Sequence, residues 1–433
     1  MEQLLEAESS AASGASGGSL LRSPLAWLFK QKLSRRFWIF FTIAFFFDFG
    51  FAVYFFLFNL YLLDLHFNEQ TIGLVGGALT LGSVIGTLPA GWIARKTGPR
   101  PLLAVCLISA PLMGVARAFA TWEWAQIALA FLAGLAMCIW GVSFLPMIAR
   151  LTTEKNRASA FSLIFSVSIG TSALGSVICG YLPQWLRAAG FVMQAAEVKR
   201  MILIASCAIA SIAIIPLLRL QIPLPESEAP SQSHAQTTKQ PWRISPFLQL
   251  FLPSMALWTA TQAAFTPFAN VYLSKNLQMS MPQIGLVFSA SQLVQLCLGL
   301  LTPLVFRRLG LVNGIVATQV ATAAALGCMA GTSNRGLAVA LFLSFSAAQW
   351  MSSPGLYNLL MSKVPDEERS SASAMTLFCN ALLGSIATAG AGILFAQFAY
   401  PRVLVGISAA AVIAALLFKF LVAPTNRRAP LQL

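Results

Sequence analysis

NLYLLDLHFNEQTIGLVGGALTLGSVIGTLPAGWIARKTGPRP, residues 59–101, has a second copy further along the same chain. That copy starts NVYLSKNLQMSMPQIGLV at Asn270 and closes with PLVFRRLG at Gly310. Asn59-x-Tyr61-Leu62 aligns with Asn270-x-Tyr272-Leu273. After one extra residue, Ile72-Gly73-Leu74-Val75 falls on Ile284-Gly285-Leu286-Val287 and Arg95-Lys96-x-Gly98 on Arg307-Arg308-x-Gly310. Each copy reads as an apolar run, a short polar loop, a second apolar run and a basic turn closed by Gly. A repeat of about half the chain is too long for a solenoid. It predicts two parallel halves related by an axis along the membrane normal.

The 433 residues around it have mean hydropathy +0.75, with 57% hydrophobic and 10% charged side chains. Soluble domains carry about 25% charged residues, so this is a membrane chain. Twelve apolar runs can be marked, each long enough to cross about 30 Å of hydrocarbon. They are 38–63, 71–93, 102–120, 125–149, 158–183, 200–220, 247–273, 283–306, 311–331, 336–360, 372–398 and 402–422.

A net charge of +14 raises the question of nucleic acid, but its placement answers otherwise. With the N-terminus inside, 21 of the 28 Lys and Arg residues fall on the cytoplasmic side. That bias orients the protein with both termini cytoplasmic and removes the need for a nucleic-acid partner. The seven cysteines lie inside spans without close pairing, and His66 and His234 lie in loops. Neither a metal site nor a cofactor is expected.

The organisation follows. Residues 1–36 read as a disordered cytoplasmic tail, Ala/Ser/Gly-rich and ending in a basic anchor. Residues 37–220 form a first six-helix bundle, 221–246 a Pro/Ser-rich cytoplasmic linker, 247–422 a second bundle and 423–433 a cytoplasmic tail. Trp140 with Pro146, and Trp350 with Pro354, mark a second echo between the halves.

Twelve spans, two homologous halves, a central cytoplasmic loop and a basic turn after spans 2 and 8 resemble the major facilitator superfamily. The resemblance covers essentially the whole membrane region. Its best local motif is G-x-x-x-D-[RK]-x-G-[RK]-[RK], here Gly91-Trp92-Ile93-Ala94-Arg95-Lys96-Thr97-Gly98-Pro99-Arg100. Gly91, Lys96, Gly98 and Arg100 match, while Arg95 stands where the family has Asp and Pro99 where it is usually basic. In the family that Asp helps lock the halves on the cytoplasmic side, with an Arg at the end of span 4, here Arg150. Arg95 beside Arg150 would repel, so Glu154 or the Asp366-Glu367-Glu368 cluster is expected to complete a lock of reversed polarity. The Gly-Pro pair that marks many antiporters in span 5 is absent.

Of 14 acidic residues, Asp48 alone lies within a span interior, about 16 Å from the start of span 1. An acid at that depth costs roughly 2.5–3.5 kcal/mol to insert, so it should face a cavity. Burial disfavours its charged form, and no basic residue sits at matching depth to offset that. A proton-coupling Asp is the functional reading; a permanently protonated, hydrogen-bonded Asp is the bland one. Asp48, Phe51, Phe55 and Asn59 share one helical face, and the repeat maps them onto Thr259, Gln262, Thr266 and Asn270. These faces are expected to form opposing walls of a substrate cavity, with Trp140, Trp258, Gln292, Trp350 and Asn380 as further candidates. The alternative for these polar residues is interhelical hydrogen bonding, and for the Phe residues lipid contact.

The reading is an all-α membrane protein of twelve transmembrane helices in two pseudo-symmetric six-helix bundles. It would move a small organic molecule by alternating access across a bacterial inner membrane, as a monomer driven by protons or sodium. Export of amphipathic compounds is the favoured direction, and uptake of a sugar or other metabolite is the alternative. A non-transporting receptor or scaffold is a third possibility. No span carries a nucleophile with a base in reach, so an enzyme is not expected.

Overall fold

The computed structural model describes residues 33–191, 193–220, 246–364 and 368–422. The expected N-terminal tail up to residue 32, the linker up to residue 245 and the C-terminal tail lie outside the described residues. Among the described residues all regular structure is helical. The first half comprises α1 (Arg35–Asp64), α2 (Glu69–Thr97), α3 (Pro99–Phe119), α4 (Glu123–Leu151), α5 (Glu154–Ala188), α6 (Ala195–Ser211) and the short α7 (Ile214–Arg219). The second comprises α8 (Pro246–Phe265), α9 (Ala269–Lys275), α10 (Met281–Leu309), α11 (Leu311–Gly331), α12 (Arg335–Lys363), α13 (Arg369–Gln397) and α14 (Tyr400–Leu417), with a π turn at Phe418–Val422.

The duplication is visible helix by helix. α2 and α10 are both 29 residues long, α3 and α11 both 21, and α4 and α12 both 29. Each of these second-half helices starts 212 positions after its counterpart. The basic turns also match: Gly98 has φ 80° and ψ 167°, Gly310 φ 79° and ψ 158°. Each glycine ends one helix and begins the next in a left-handed conformation that a side chain would strain, which explains why both basic turns close on Gly. His66 (φ 63°) and Gln278 (φ 50°) are likewise 212 positions apart, in the loops leading into α2 and α10.

Among the described residues eleven helical stretches are long and apolar enough to span a membrane. The twelfth, expected as one run over 247–273, is broken into α8, a 3-10 turn at Thr266–Phe268, and α9. Pro267 causes the break: it has no N–H to give the Ala263 carbonyl four residues back. The Thr388 hydroxyl on α13 donates to that carbonyl instead, at 3.0 Å. The sixth span also runs in two pieces, with Pro216 inside the short α7.

Packing within the halves uses small residues and polar ties to backbone. Tyr54 and Tyr61 on α1 donate their hydroxyls to the Gly114 and Ala118 carbonyls of α3, at 3.1 and 2.6 Å. The largest apolar cluster includes residues of both halves, and Phe56 on α1 meets Phe288 on α10 edge-on at 5.4 Å. A separate cluster around Phe251, Met255, Trp258, Ile315, Leu359 and Phe418 belongs to the second half alone.

Candidate functional site

Asp48 sits midway along α1 and is half-buried. Its carboxyl borders a crevice of about 10 Å³, walled by Phe41, Ala44 and Phe45 of α1 and by Ile164, Val167, Ser168 and Thr171 of α5. That is about the space one water occupies. The Ser168 and Trp140 side chains lie beside the carboxyl. Thr171 directs its own hydroxyl to the Ser168 carbonyl at 2.9 Å. Among the described residues Asp48 has no ion-pair partner; the two ion pairs present are Lys199–Asp64 and Lys275–Glu69.

An aromatic wall continues from the carboxyl. Trp140 lies 4.5 Å from Phe47 and 5.4 Å from Phe144, centroid to centroid, and Phe47, Phe51 and Phe55 follow one another at 4.8 and 5.8 Å. Phe51 is buried, whereas Phe55 is 41% exposed. Across the molecule, the break in the seventh span leaves Thr266 exposed and paired with Gln349 of α12 at 3.3 Å.

Among the described residues the two halves meet closely at one end. A Cβ placed on Gly73 would lie 2.8 Å from the Gly392 Cα, and one on Gly180 would lie 3.3 Å from the Gly285 Cα. Gly285 stands 212 positions after Gly73, and Gly392 212 after Gly180, so these are one contact made twice. Small residues let the backbones approach, α2 against α13 and α10 against α5. Between them the repeat-related asparagines clasp each other's helices. Asn59 donates its side-chain amide to the Pro267 carbonyl at 2.7 Å, and Asn270 donates its own to the Phe56 carbonyl at 2.9 Å. Each carbonyl lies three residues before the opposite asparagine, which places this pair on the pseudo-two-fold axis.

At the other end of the same helices the halves stand apart. Nothing lies within 4 Å of a Cβ placed on Gly91, towards the basic end of α2, or on Gly170, midway along α5. Leu88, Trp92, Arg150, Trp350, Arg307 and Arg308 are exposed. Lys96 lies over the Trp92 ring at 3.8 Å, and Arg100 donates to the Leu218 carbonyl, both within the first half. This is the basic end, and here the described side chains stand exposed. The side chains of Arg95 and Glu154, with Asp366 and Glu367, lie outside the described residues, so the expected lock of reversed polarity has no described geometry.

The expected cavity residues therefore divide. Asp48, Phe51, Phe55 and Trp140 come together on the first-half wall, and Thr259, Gln262, Thr266, Gln292, Trp350 and Asn380 are half-buried or exposed on the second. Trp258 departs from expectation: it is 1% exposed, inside the second half's own core, in an apolar cluster with residues of α11, α12 and α14 rather than at the gap. Asn59 and Asn270 also have a different setting, sealing one end instead of standing open to a ligand. Glu69 was placed by sequence among the loop acids. It is buried at the head of α2, accepting from Lys275 at 2.7 Å and from the Tyr400 hydroxyl at 3.0 Å. Nothing in the sequence pairs these three residues, which stand 206 and 331 positions from Glu69. Among the described residues no group of three or more His, Cys, Asp or Glu is placed to hold a metal ion.

Comparison with known proteins agrees with this architecture. The family model for the Major Facilitator Superfamily matches residues 40–389. No curated protein matches the chain. Among solved structures, the nucleoside transporter NupG is 17% identical, covers 90% of this chain and 99% of its own, and gives a TM-score of 0.70. A bacterial homologue of the human lysosomal transporter Spinster, inward-facing and unoccupied, is 13% identical with 91% and 99% coverage and a TM-score of 0.73. The xylose transporter XylE from E. coli, inward-open, is 14% identical with 89% and 95% coverage and a TM-score of 0.68. At these identities the likeness speaks to the fold alone. With the family match spanning most of the chain and two six-helix halves in place, this protein belongs to the Major Facilitator Superfamily, a family of membrane transporters.

Proposed function

We propose that this protein is a proton-coupled secondary transporter that moves a small organic molecule by alternating access. The basic end faces the cytoplasm, as the excess of Lys and Arg on that side argues, so the conformation described is inward-open. The membrane is then a bacterial inner membrane with both termini cytoplasmic, and the protein works as a monomer. The observation that carries the coupling is the Asp48 crevice. A space of about 10 Å³ admits a water or a bare ion and excludes an organic ligand, so Asp48 serves the driving ion rather than the cargo. A hard cation gathers several oxygen ligands. The crevice offers one carboxylate and two hydroxyls among apolar walls. A proton fits that setting better than sodium.

The cargo then lies beside Asp48, between the aromatic wall ending at Phe55 and the amide-and-hydroxyl wall at Gln262, Thr266 and Gln349. Such a space suits an amphipathic molecule, and we take export as the working direction. The exposed Thr266–Gln349 pair favours a second reading, uptake of a hydroxylated metabolite such as a sugar.

The test is flux. A substrate found by thermal-shift screening of the purified protein is followed in liposomes under an imposed pH gradient. Asp48→Asn is expected to abolish gradient-driven accumulation while leaving the thermal shift with substrate in place. Undiminished gradient-driven flux in the Asn variant would contradict the coupling role, and the direction of accumulation decides between export and uptake.

A further inference from the structure

The sealed end is symmetric in its glycines and asparagines but not in its charges. On the α2–α13 side, Glu69 of the first half is buried and receives both Lys275 from α9 and the hydroxyl of Tyr400 from α14. The same seam carries another cross-half bond, from the Ser385 hydroxyl to the Gly77 carbonyl at 2.7 Å. Positions related by the repeat behave differently. The counterpart of Glu69, 212 positions on, is Met281, whose carbonyl packs on Gly180. The counterpart of Lys275 is Asp64, which pairs with Lys199 inside its own half at 2.8 Å. Among the described residues one seam thus carries an ion pair, and the other is a close backbone approach without one. Two residues along α2, the Thr71 hydroxyl donates to the Glu123 carboxylate of α4 at 3.0 Å.

We propose that the Glu69–Lys275 pair, steadied by Tyr400, is the latch that holds this end of the transporter shut. Opening the end carries Lys275 and Tyr400 away with the second half and leaves Glu69 without its cation. The latch therefore adds to the closed state a term that the symmetric glycine and asparagine contacts do not supply. It concerns residues that touch neither the Asp48 crevice nor the cargo space, and it rests on the alternating-access reading above.

The latch can be tested without knowing the cargo. Ser385→Cys places a thiol at a side chain that is 6% exposed and reaches across the seam, so an impermeant maleimide added from the sealed side reacts only when the seam parts. Cys297, Cys328 and Cys379 are first replaced by Ser, since the remaining four cysteines are buried. Glu69→Gln and Lys275→Ala are each expected to speed labelling about tenfold, between what an exposed and a buried ion pair are worth. The double variant should be no faster than the faster single one, Tyr400→Phe should give a smaller rise, and Met281→Ala at the counterpart position smaller still. Asp64→Asn, which breaks the pair within the first half, should leave the rate unchanged. Because Lys275 is half exposed, Lys275→Ala is expected to fold even if Glu69→Gln does not. An unchanged rate in Lys275→Ala, or an equal rise in Asp64→Asn, overturns the latch. Either result is independent of Asp48→Asn flux, so failure of the latch and failure of the coupling reading are separate findings.

Discussion

At Gly73 the second helix cannot take a methyl group without meeting the Gly392 backbone; further along, at Gly91, it has nothing within 4 Å. The fifth helix repeats the contrast, pressed against Gly285 at Gly180 and free at Gly170. One rigid helix thus has one end bound to the other half and one end free of it. On the alternating-access reading proposed above, the free end closes by rotation of one half against the other, which is how repeat-built transporters expose a central site to each side in turn. The difference between the ends also shows what holds the closed state. Close backbone approach and a few hydrogen bonds hold it alongside the Glu69–Lys275 pair.

The strongest way to break this contrast is to fill the contact. Gly73→Leu or Gly285→Leu should cost the sealed conformation roughly 1–3 kcal/mol by overpacking, while leaving the parted conformation untouched. Labelling of the Ser385→Cys reporter should rise about 10- to 100-fold. Labelling that stays slow in a folded Gly73→Leu protein would mean that the glycine approach is incidental.

A smaller effect is expected on the axis. Asn59→Ala and Asn270→Ala each remove one hydrogen bond between the halves, worth about 0.5–1.5 kcal/mol, and should speed the same labelling about two- to tenfold. Since the two bonds are related by the repeat, the two variants should match each other. A large effect from one and none from the other would show that the axis is not shared.

These residues also show what could be read in the chain. Asn59 and Asn270 stood out because each opens a copy of the repeat, and the repeat gave the two halves, the basic turns and the glycines that close them. Their role could not be read, because a period-3.6 pattern places a side chain on a face without saying whether that face meets solvent or another helix. The burial of Trp258 was hidden for the same reason, since the residues that share its cluster lie far from it in sequence. The break at Thr266–Phe268 was marked by Pro267, but an apolar run that continues through a proline looks unbroken to hydropathy. Asp48 was legible because a lone acid in an apolar span has no inexpensive explanation. Glu69 was not, since at a helix start an acid is ordinary.

Two weaker perturbations sharpen the comparison at the open end. Arg95→Asp should shift the balance of labelling by no more than about fivefold, because exposed charge pairs are worth about 0–1 kcal/mol. If a lock of reversed polarity forms when the basic end closes, reversing an acid of the Asp366-Glu367-Glu368 cluster should restore the balance; identical labelling in every variant would exclude the lock. Gly91→Ala should change nothing measurable, less than about twofold, since its added methyl group meets open space in the conformation described. A large effect there would mean that the basic end spends much of its time closed.

The central claim is that the two ends open and close reciprocally and that Asp48 makes the exchange responsive to protons. Spin-label pairs measure this directly in protein carried in lipid nanodiscs, with Cys297, Cys328 and Cys379 replaced. Thr97 and Leu309 report on the basic end, and Trp122 and Ser333 on the sealed one. On going from about pH 8 to about pH 5.5, one distance distribution should lengthen as the other shortens, and Asp48→Asn should hold both still. Two distances that change in the same sense, or a pH response that survives in Asp48→Asn, would contradict the account.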